Sequence, residues 1–188
     1  KAVERLELDR LLVVPAGIPP HKSLPAGSPD EGSRMEMTKI AFSGISCASV
    51  EDFEIVNGGM SYTVNTLRHF KKLFPEDDLY LLMGTDMYLT LDAWHESGDI
   101  LSLAVPVVFA RKDGEYGAIR EKAVELSAKY GAKAQIVTLD AYEAASSQIR
   151  EMLKTGGGRE LLDKIVYAYI IKRRLYGALP ELEWLRQE

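Results

Sequence analysis

The sequence predicts an α/β fold in which helices flank a parallel, doubly wound sheet. Short apolar runs that suit strands alternate along the chain with longer segments whose apolar residues repeat at helical spacing. The clearest strand is the apolar run at residues 79–83, which Gly84 closes and which we expect to be buried on both faces. Alternation of strands and helices implies parallel pairing through crossovers. With no internal repeat, the pattern indicates one domain over residues 1–188.

Five strands are predicted from apolar or alternating runs bounded by turn residues. They cover residues 11–14, 50–55, 79–83, 105–110 and 134–139. The second is the weakest, because it alternates charged and apolar side chains and suits the edge of a sheet.

The predicted helices have recognisable starts and stops. Ser33 with Glu36 resembles a capping box, and Ser61 caps a helix that Pro75 ends. Gly131 is placed as the C-cap of a helix over residues 118–129. The remaining helices are predicted near residues 2–8, 99–103, 146–153 and 162–170, and the glycines at 156–158 are interpreted as a helix exit.

Composition excludes several classes of protein. The net charge of −5 does not favour a nucleic-acid partner, which usually binds a basic surface. A single cysteine, Cys47, excludes an internal disulfide and fits a reducing compartment, where we interpret it as a small buried hydrophobe. No apolar run reaches membrane-spanning length and no signal peptide is visible, so we expect a cytoplasmic protein. A homo-oligomer is compatible with the sequence, which does not give the oligomeric state.

The chain begins at Lys1 inside a segment that has helical character but no cap. Helices normally start with a capping residue and a polar first turn. We therefore expect the natural protein to extend further at its N-terminus.

Polar clusters follow four of the predicted strands or open the next helix. They lie at residues 15–22, 84–86, 111–112 and 146–150. In a parallel sheet these positions converge on one edge, where ligands bind. Two clusters carry cations and a third opens a helix, whose free N–H groups favour an anion. Together they predict a polyphosphate site, with Trp94 as a nearby aromatic platform.

Each of these residues has a simpler structural explanation. Ser146 can be only an N-cap, Arg111 and Arg150 can be solvated charges, and the indole of Trp94 can belong to the core. No G-x-G-x-x-G follows a strand, no Cys/His set has zinc spacing, and no Ser/His/Asp motif is evident. Both interpretations stay open at the level of the residues.

Five segments carry motifs that are more specific together than any one alone. They are Val-Pro-Ala-Gly-Ile-Pro-Pro-His-Lys at 14–22, Ser-Tyr-Thr-Val-Asn-Thr-Leu at 61–67, Gly-Thr-Asp at 84–86, Trp-His at 94–95 and Ser-Ser-Gln-Ile-Arg at 146–150. In order and approximate spacing they resemble the bacterial nicotinate-nucleotide adenylyltransferases. The resemblance covers essentially the whole chain and implies the Rossmann-like, nucleotidylyltransferase type of doubly wound sheet.

The resemblance implies an ATP-binding nucleotidyltransferase of NAD, or pyridine nucleotide, biosynthesis. Such an enzyme transfers AMP from ATP to nicotinate mononucleotide, forms deamido-NAD, and releases pyrophosphate with Mg²⁺ as cofactor. An in-line displacement of this kind needs positioning and charge neutralisation more than a protein nucleophile.

By resemblance, the phosphates of ATP would be held by Ser146, Ser147 and Arg150, with His21 and Lys22 approaching from the opposite loop. Lys22 and Arg150 are the catalytic candidates.

The same resemblance places Gly84 and Asp86 at the nucleotide sugar. Trp94 would stack on the pyridine ring, and Thr63, Thr85 and His95 would complete the acceptor site, with Thr63 and the backbone near His95 taking the carboxylate. Arg111 is assigned to ATP, although the family's Arg-Pro-Gly is Arg-Lys-Asp-Gly in this chain.

Two departures from the family pattern bear on activity. The family's Ser-Ser-Thr-x-Ile-Arg is Ser-Ser-Gln-Ile-Arg here, and its leading strand with the H-x-G-H motif is absent from the sequence. We expect a missing N-terminal segment of roughly 20–25 residues, enough for a strand, a loop and the start of a helix. The alternatives are an adenylyltransferase of the same fold that uses nicotinamide mononucleotide or phosphopantetheine, and a nucleotide-binding module without catalysis.

Overall fold

The computed structural model describes residues 2–20, 27–110, 113–138 and 145–180. The chain forms two compact units: the first unit comprises Lys1–Met60 with Glu143–Glu188, and the second unit comprises Ser61–Tyr142. The single domain expected from the sequence therefore stays a prediction.

Helices and strands alternate along most of the described chain. The strands are β1 (Leu11–Val13), β2 (Ala48–Val50), β3 (Leu79–Gly84), β4 (Ala104–Ala110) and β5 (Gln135–Thr138). The helices are α1 (Ala2–Leu6), α2 (Glu31–Phe42), α3 (Phe53–Asn57), α4 (Thr63–Leu73), α5 (Thr85–Leu89), α6 (Ser97–Leu103), α7 (Tyr116–Tyr130), α8 (Ser146–Lys154) and α9 (Lys164–Arg173). Short 3₁₀ turns separate several of them.

All strand pairs among the described residues are parallel, as the sequence predicts. In the first unit β1 pairs with β2, with Val13 opposite Val50. In the second unit the strand order is β3-β4-β5, so that β4 is the central strand. The predicted α/β class with parallel strands is confirmed, and the described strands form two sheets, one in each unit.

The prediction that the strand at 79–83 is buried on both faces is wrong. Along β3 only Met83 is fully buried, and Tyr80 is exposed. β4 takes the buried position instead, with five of its seven residues fully buried. The difference arises because β4 has a neighbour on both sides, whereas β3 pairs only with β4 among the described strands.

The strand predicted over 50–55 is also wrong. The strand ends at Val50, and residues 53–57 form the short helix α3. A charged and apolar alternation over so few residues fits one turn of helix as well as a strand, so the local pattern could not decide.

Two predicted caps lie elsewhere. Asp30, not Ser33, is the N-cap of α2, and its carboxylate accepts a 2.7 Å hydrogen bond from the Ser33 amide. The N-cap of α4 is Tyr62 and not Ser61, with no side-chain capping bond. Gly131 does cap α7, with a φ of 66° that favours glycine.

Each unit has its own hydrophobic core. The core of the second unit lies between its sheet and helices α4 to α7, and its most completely buried side chains are Val64, Tyr88, Leu91, Ile100, Val107, Val108, Ile119 and Leu126. In the first unit the core joins α8 and α9 through Leu153, Val166, Ile170 and Ala178. In the ranges that the structure describes, no helix has the length and apolar character needed to cross a membrane.

Candidate active site

The carboxyl end of β3 presents the Gly-Thr-Asp motif at the start of a helix. Gly84 ends the strand and is the N-cap of α5, so Thr85 and Asp86 occupy the first turn of that helix. Asp86 is exposed, while Thr85 is only 9 % exposed. The Thr85 hydroxyl donates a 2.6 Å hydrogen bond to Oε2 of Glu115. Within the motif, Thr85 therefore supports the fold through its hydrogen bond, whereas Asp86 faces solvent.

The ends of β4 and β5 lie at the same edge of this sheet. Gly84 pairs with Phe109, and Ala110 pairs with Thr138. Glu115 is the N-cap of α7, and the hydroxyl of the next residue, Tyr116, contacts the Thr138 hydroxyl. Thus three chain segments meet where the sequence places ligand-binding residues. Sequence reasoning missed Glu115, whose partner is 30 residues away and leaves no local signal.

Trp94 follows a 3₁₀ turn over Leu91–Ala93. Its ring is partly buried and packs against the core of the second unit, while its Nε1 donates a 3.4 Å bond to the Thr90 hydroxyl. The turn is anchored by an ion pair of 2.6 Å between Asp92 and Lys122, whose side chain is 10 % exposed. The hydrogen bond from Lys122 lowers the pKa of Asp92. Trp94 is therefore held on a fixed turn at the border between core and solvent.

His95 connects this turn to the start of α4. Its ring lies 4.3 Å from the ring of Tyr62, centroid to centroid, and Thr63 is the first residue of that helix. Three predicted acceptor-site residues, Thr63, Trp94 and His95, are thereby brought to neighbouring segments of the second unit.

Glu96 adopts a left-handed backbone conformation, with a φ of 53°. Such a conformation is costly for a residue with a side chain and persists when its surroundings fix it. Two partners hold the carboxylate: His95 Nε2 at 2.9 Å and Arg68 at 2.5 Å. Arg68 also pairs with Asp99. The hydrogen bond from Arg68 to Glu96 is the main reason that the pKa of the Glu96 carboxyl lies below its usual range.

A cavity of about 450 Å³ lies in the first unit, between α2, α8 and α9. Apolar side chains make up most of its wall. Its polar lining consists of Arg34, Thr38, Ser146, Arg150 and Tyr176.

The amino end of α8 opens at this cavity. Ala145 is the N-cap, so Ser146 is the first helical residue and not the capping residue that its simpler interpretation requires. Ser146 and Ser147 are exposed in the first turn, where backbone N–H groups have no partner inside the helix. Arg150 lies one turn further, on the cavity wall. The arrangement joins a helix N-terminus and a cation, which together favour an anion.

A second arginine, Arg34, lies on the same wall, and sequence reasoning missed it. Both guanidinium groups act on Tyr176: burial raises the pKa of its hydroxyl, and the charges of Arg150 and Arg34 oppose that rise. Among the described residues, no carboxylate lies within ion-pair distance of Arg34 or Arg150. The two arginines therefore give the cavity wall a net positive charge.

The structure thus groups the predicted residues by unit. Ser146 and Arg150 share the cavity of the first unit, with Ser147 beside them on α8. The second unit holds its predicted residues at the carboxyl edge of its sheet and on the segments around Trp94. These are Thr63, Gly84, Thr85, Asp86, Trp94 and His95. His21, Lys22 and Arg111 lie outside the described residues, and the predicted site roles stay predictions.

Comparison with known proteins identifies the class. A model of the cytidylyltransferase-like family matches residues 1–154. The chain belongs to this family and is a nucleotidyltransferase, as the sequence predicts.

Its place within the class follows from curated relatives. A probable nicotinate-nucleotide adenylyltransferase of Clostridium botulinum is 34 % identical over 179 residues, covering 94 % of this chain and 88 % of the relative. The corresponding protein of Clostridium acetobutylicum is 33 % identical over 177 residues with the same coverage. The chain therefore belongs with the nicotinate-nucleotide adenylyltransferases.

Solved structures agree on the fold. The nicotinic acid mononucleotide adenylyltransferase of Plasmodium falciparum, complexed with NaAD, superposes with a TM-score of 0.67. It is 18 % identical and covers 92 % of this chain and 84 % of its own. A second structure of that enzyme, complexed with APC, gives a TM-score of 0.64 at 17 % identity, with the same coverage.

The ion pair between Arg68 and Glu96 predicts how acid affects stability. Because the folded-state pKa of Glu96 is lowered, the pair stabilises the protein above the ordinary pKa of 4.5. This stabilisation is lost as the pH falls through the folded-state value. We expect Arg68→Gln to unfold at a lower temperature near pH 7 and to lose less stability than the parent between about pH 6 and pH 3.

Thermal unfolding followed by circular dichroism across that pH range measures this effect. Arg120→Gln is the matched control, because it removes the same charge from an exposed position in the same unit. A parallel pH dependence of Arg68→Gln and the parent would contradict the role of the ion pair.

Proposed function

We propose that this protein transfers the adenylyl group of ATP to nicotinate mononucleotide, forming deamido-NAD and pyrophosphate. One observation of geometry supports the donor side most directly: Ser146 and Arg150 line one cavity at the amino end of α8. The acceptor is proposed from the curated relatives, whose names specify nicotinate nucleotide.

The reaction is an in-line displacement at phosphorus. An oxygen of the mononucleotide phosphate attacks the α-phosphorus of ATP, and the bond from that phosphorus to the bridging oxygen of the leaving pyrophosphate breaks. Charge grows on the pyrophosphate as it leaves. Fixed cations and backbone N–H groups aimed at that charge lower the barrier without a covalent intermediate. In this chain we assign that work to Arg150 and the first turn of α8.

The acceptor would bind to the second unit. Trp94 sits on an anchored turn with its ring partly exposed, which suits stacking on a pyridine ring. Thr63, at the start of α4, and the backbone near His95 would receive the carboxylate. The side chain at the N-cap of α4 makes no capping hydrogen bond, and we assign the carboxylate to the first N–H groups of this helix.

Mg²⁺ is the cofactor that we propose to accompany ATP. In nucleotide sites it commonly keeps several waters and binds through substrate phosphates with few protein carboxylates. Among the described residues, no cluster of three or more His, Cys, Asp or Glu side chains could hold a metal. Its ligands here would be phosphate oxygens of ATP, and it would supply charge neutralisation.

We place this reaction in the cytoplasm. The single cysteine, Cys47, is free and partly buried, as suits a reducing compartment.

The substrate choice is tested with the purified chain, ATP and Mg²⁺, by measuring pyrophosphate release. We expect turnover with nicotinate mononucleotide at a kcat/KM well above that with nicotinamide mononucleotide or phosphopantetheine. Preference for the amide would contradict the proposed carboxylate site. ATP binding without pyrophosphate release from any acceptor would favour a binding module instead.

Arg150 carries the donor-side prediction. Replacing it by alanine removes a charge contact that strengthens in the transition state, so kcat should fall by about 10²- to 10³-fold. Lys154→Ala is the control, because Lys154 is an exposed cation of the same helix that pairs with Glu151 at 2.7 Å. Steady-state kinetics measure kcat for both variants. A near-normal kcat for Arg150→Ala would show that Arg150 has no part in the mechanism.

Trp94 carries the acceptor-side prediction. In Trp94→Ala the KM for nicotinate mononucleotide should rise about tenfold, since stacking on a base by an aromatic side chain contributes roughly 1–3 kcal/mol. The KM for ATP should change little. Trp94→Phe keeps a ring and should recover part of the loss. If the mononucleotide KM is unchanged in Trp94→Ala, the indole serves only the core.

A further inference from the structure

Arg34 has a contact pattern that its place on a helix does not require. From the first turn of α2, its guanidinium group reaches back to the segment that leaves β1. Nη1 donates to the carbonyl of Ala16, and Nη2 donates to the carbonyl of Gly17 at 3.4 Å. One side chain thus holds two consecutive backbone carbonyls, 18 and 17 residues away in the chain.

The held segment is part of the cavity wall. Pro15 directly precedes the two carbonyls and lines the cavity beside Arg34, Ser146 and Arg150. At its other end the segment is tied by a parallel bridge between Ile18 and Met60. Between these points, residues 15–17 have no strand partner in the described chain. Arg34 contacts the backbone carbonyls of two of these three residues, Ala16 and Gly17.

The arrangement is poorly suited to stability alone. The Nε atom of Arg34 is buried and has no hydrogen-bond partner among the described residues. No carboxylate among those residues neutralises the guanidinium group either. A buried donor without a partner lowers stability and offsets part of what the two hydrogen bonds to the carbonyls contribute. A costly group retained in the wall of a ligand cavity indicates a role for the ligand.

Lysine is a poor substitute for this contact. The guanidinium group is a rigid planar fork, whereas the donors of an ammonium group sit on one atom at the end of a flexible stem. We therefore expect lysine to hold the two adjacent carbonyls less firmly than arginine does.

We propose that Arg34 is a positioning residue, which holds the backbone at Ala16 and Gly17 so that this wall is shaped for the nucleotide in the cavity that Arg150 also lines. This rests on the proposed function, because ATP is the ligand assigned to that cavity. The role is exerted through the backbone and requires the fork, not merely a positive charge.

The test compares Arg34→Met, which removes charge and fork, with Arg34→Lys, which keeps only the charge. Lys39→Gln is the matched control, because Lys39 is an exposed cation on the same helix and does not line the cavity. All variants are made in the full chain. Calorimetry measures the Kd for ATP and for nicotinate mononucleotide, and hydrogen exchange measures the amides of Ala16, Gly17 and Ile18.

We expect both Arg34 variants to bind ATP about 10-fold or more weakly and to exchange the three amides faster, with mononucleotide binding unchanged within about twofold. The melting temperature of Arg34→Met should stay within about 4 °C of the parent, because the loss of two hydrogen bonds is opposed by removal of the buried Nε donor that has no partner. Lys39→Gln should match the parent in every measurement.

Three outcomes overturn the proposal. Recovery of ATP binding in Arg34→Lys would show that charge is sufficient. Unchanged exchange in both variants would show that the segment does not depend on Arg34. A lower melting temperature with unchanged ATP binding would make Arg34 purely structural. If the parent protein transfers no adenylyl group, the proposed function fails, while the exchange measurement still decides whether Arg34 holds the segment.

Discussion

Parallel pairing in the second unit is the constraint on which its site depends. β4 lies between β3 and β5, and its buried apolar residues fix the register of both neighbours. Because parallel strands end at the same edge, Gly84 and Thr138 reach one side of the sheet without any direct sequence link. The hydrogen bond between Thr85 and Glu115 then ties α5 to the start of α7. Because the buried residues of β4 and this hydrogen bond stabilise the structure beneath the edge, the exposed carboxylate of Asp86 is not needed for packing.

The two ion-pair systems around Trp94 differ in how far they are exposed to solvent. Lys122 is largely buried when it pairs with Asp92, so water and salt screen that interaction only weakly. Arg68 and Glu96 are each more than a third exposed, so solvent screens their attraction more strongly and its pH-dependent contribution to stability is small. The buried pair therefore anchors the turn, while the exposed pair holds the left-handed backbone at Glu96.

In the first unit, the positive charges that suit the cavity for an anion also lower the stability of the protein without a ligand. The cavity gathers Arg34, Arg150 and the amino end of α8 on a wall that is otherwise mostly apolar. Concentrated positive charge raises the energy of the protein without a ligand, and an anion entering such a site relieves it. The strained backbone at Tyr176, with a φ of 57°, lies on the same cavity wall. Strain and uncompensated charge at one place are typical of a functional site.

By itself the sequence determined the alternation of helices and strands, the parallel α/β class, the end of α7 at Gly131, and the family. The elements and the fold class depend on residues close together in the chain, whose periodicity and turn chemistry are local, whereas the family follows from the order of five motifs between residues 14 and 150. Tertiary structure alone decided that Asp30 rather than Ser33 caps α2, that β4 rather than β3 is the buried strand, and that Arg34 holds the carbonyls after β1. The reason is the same in each case: a cap, a buried face or a carbonyl contact is chosen by which groups the fold brings together, and several local patterns permit more than one choice.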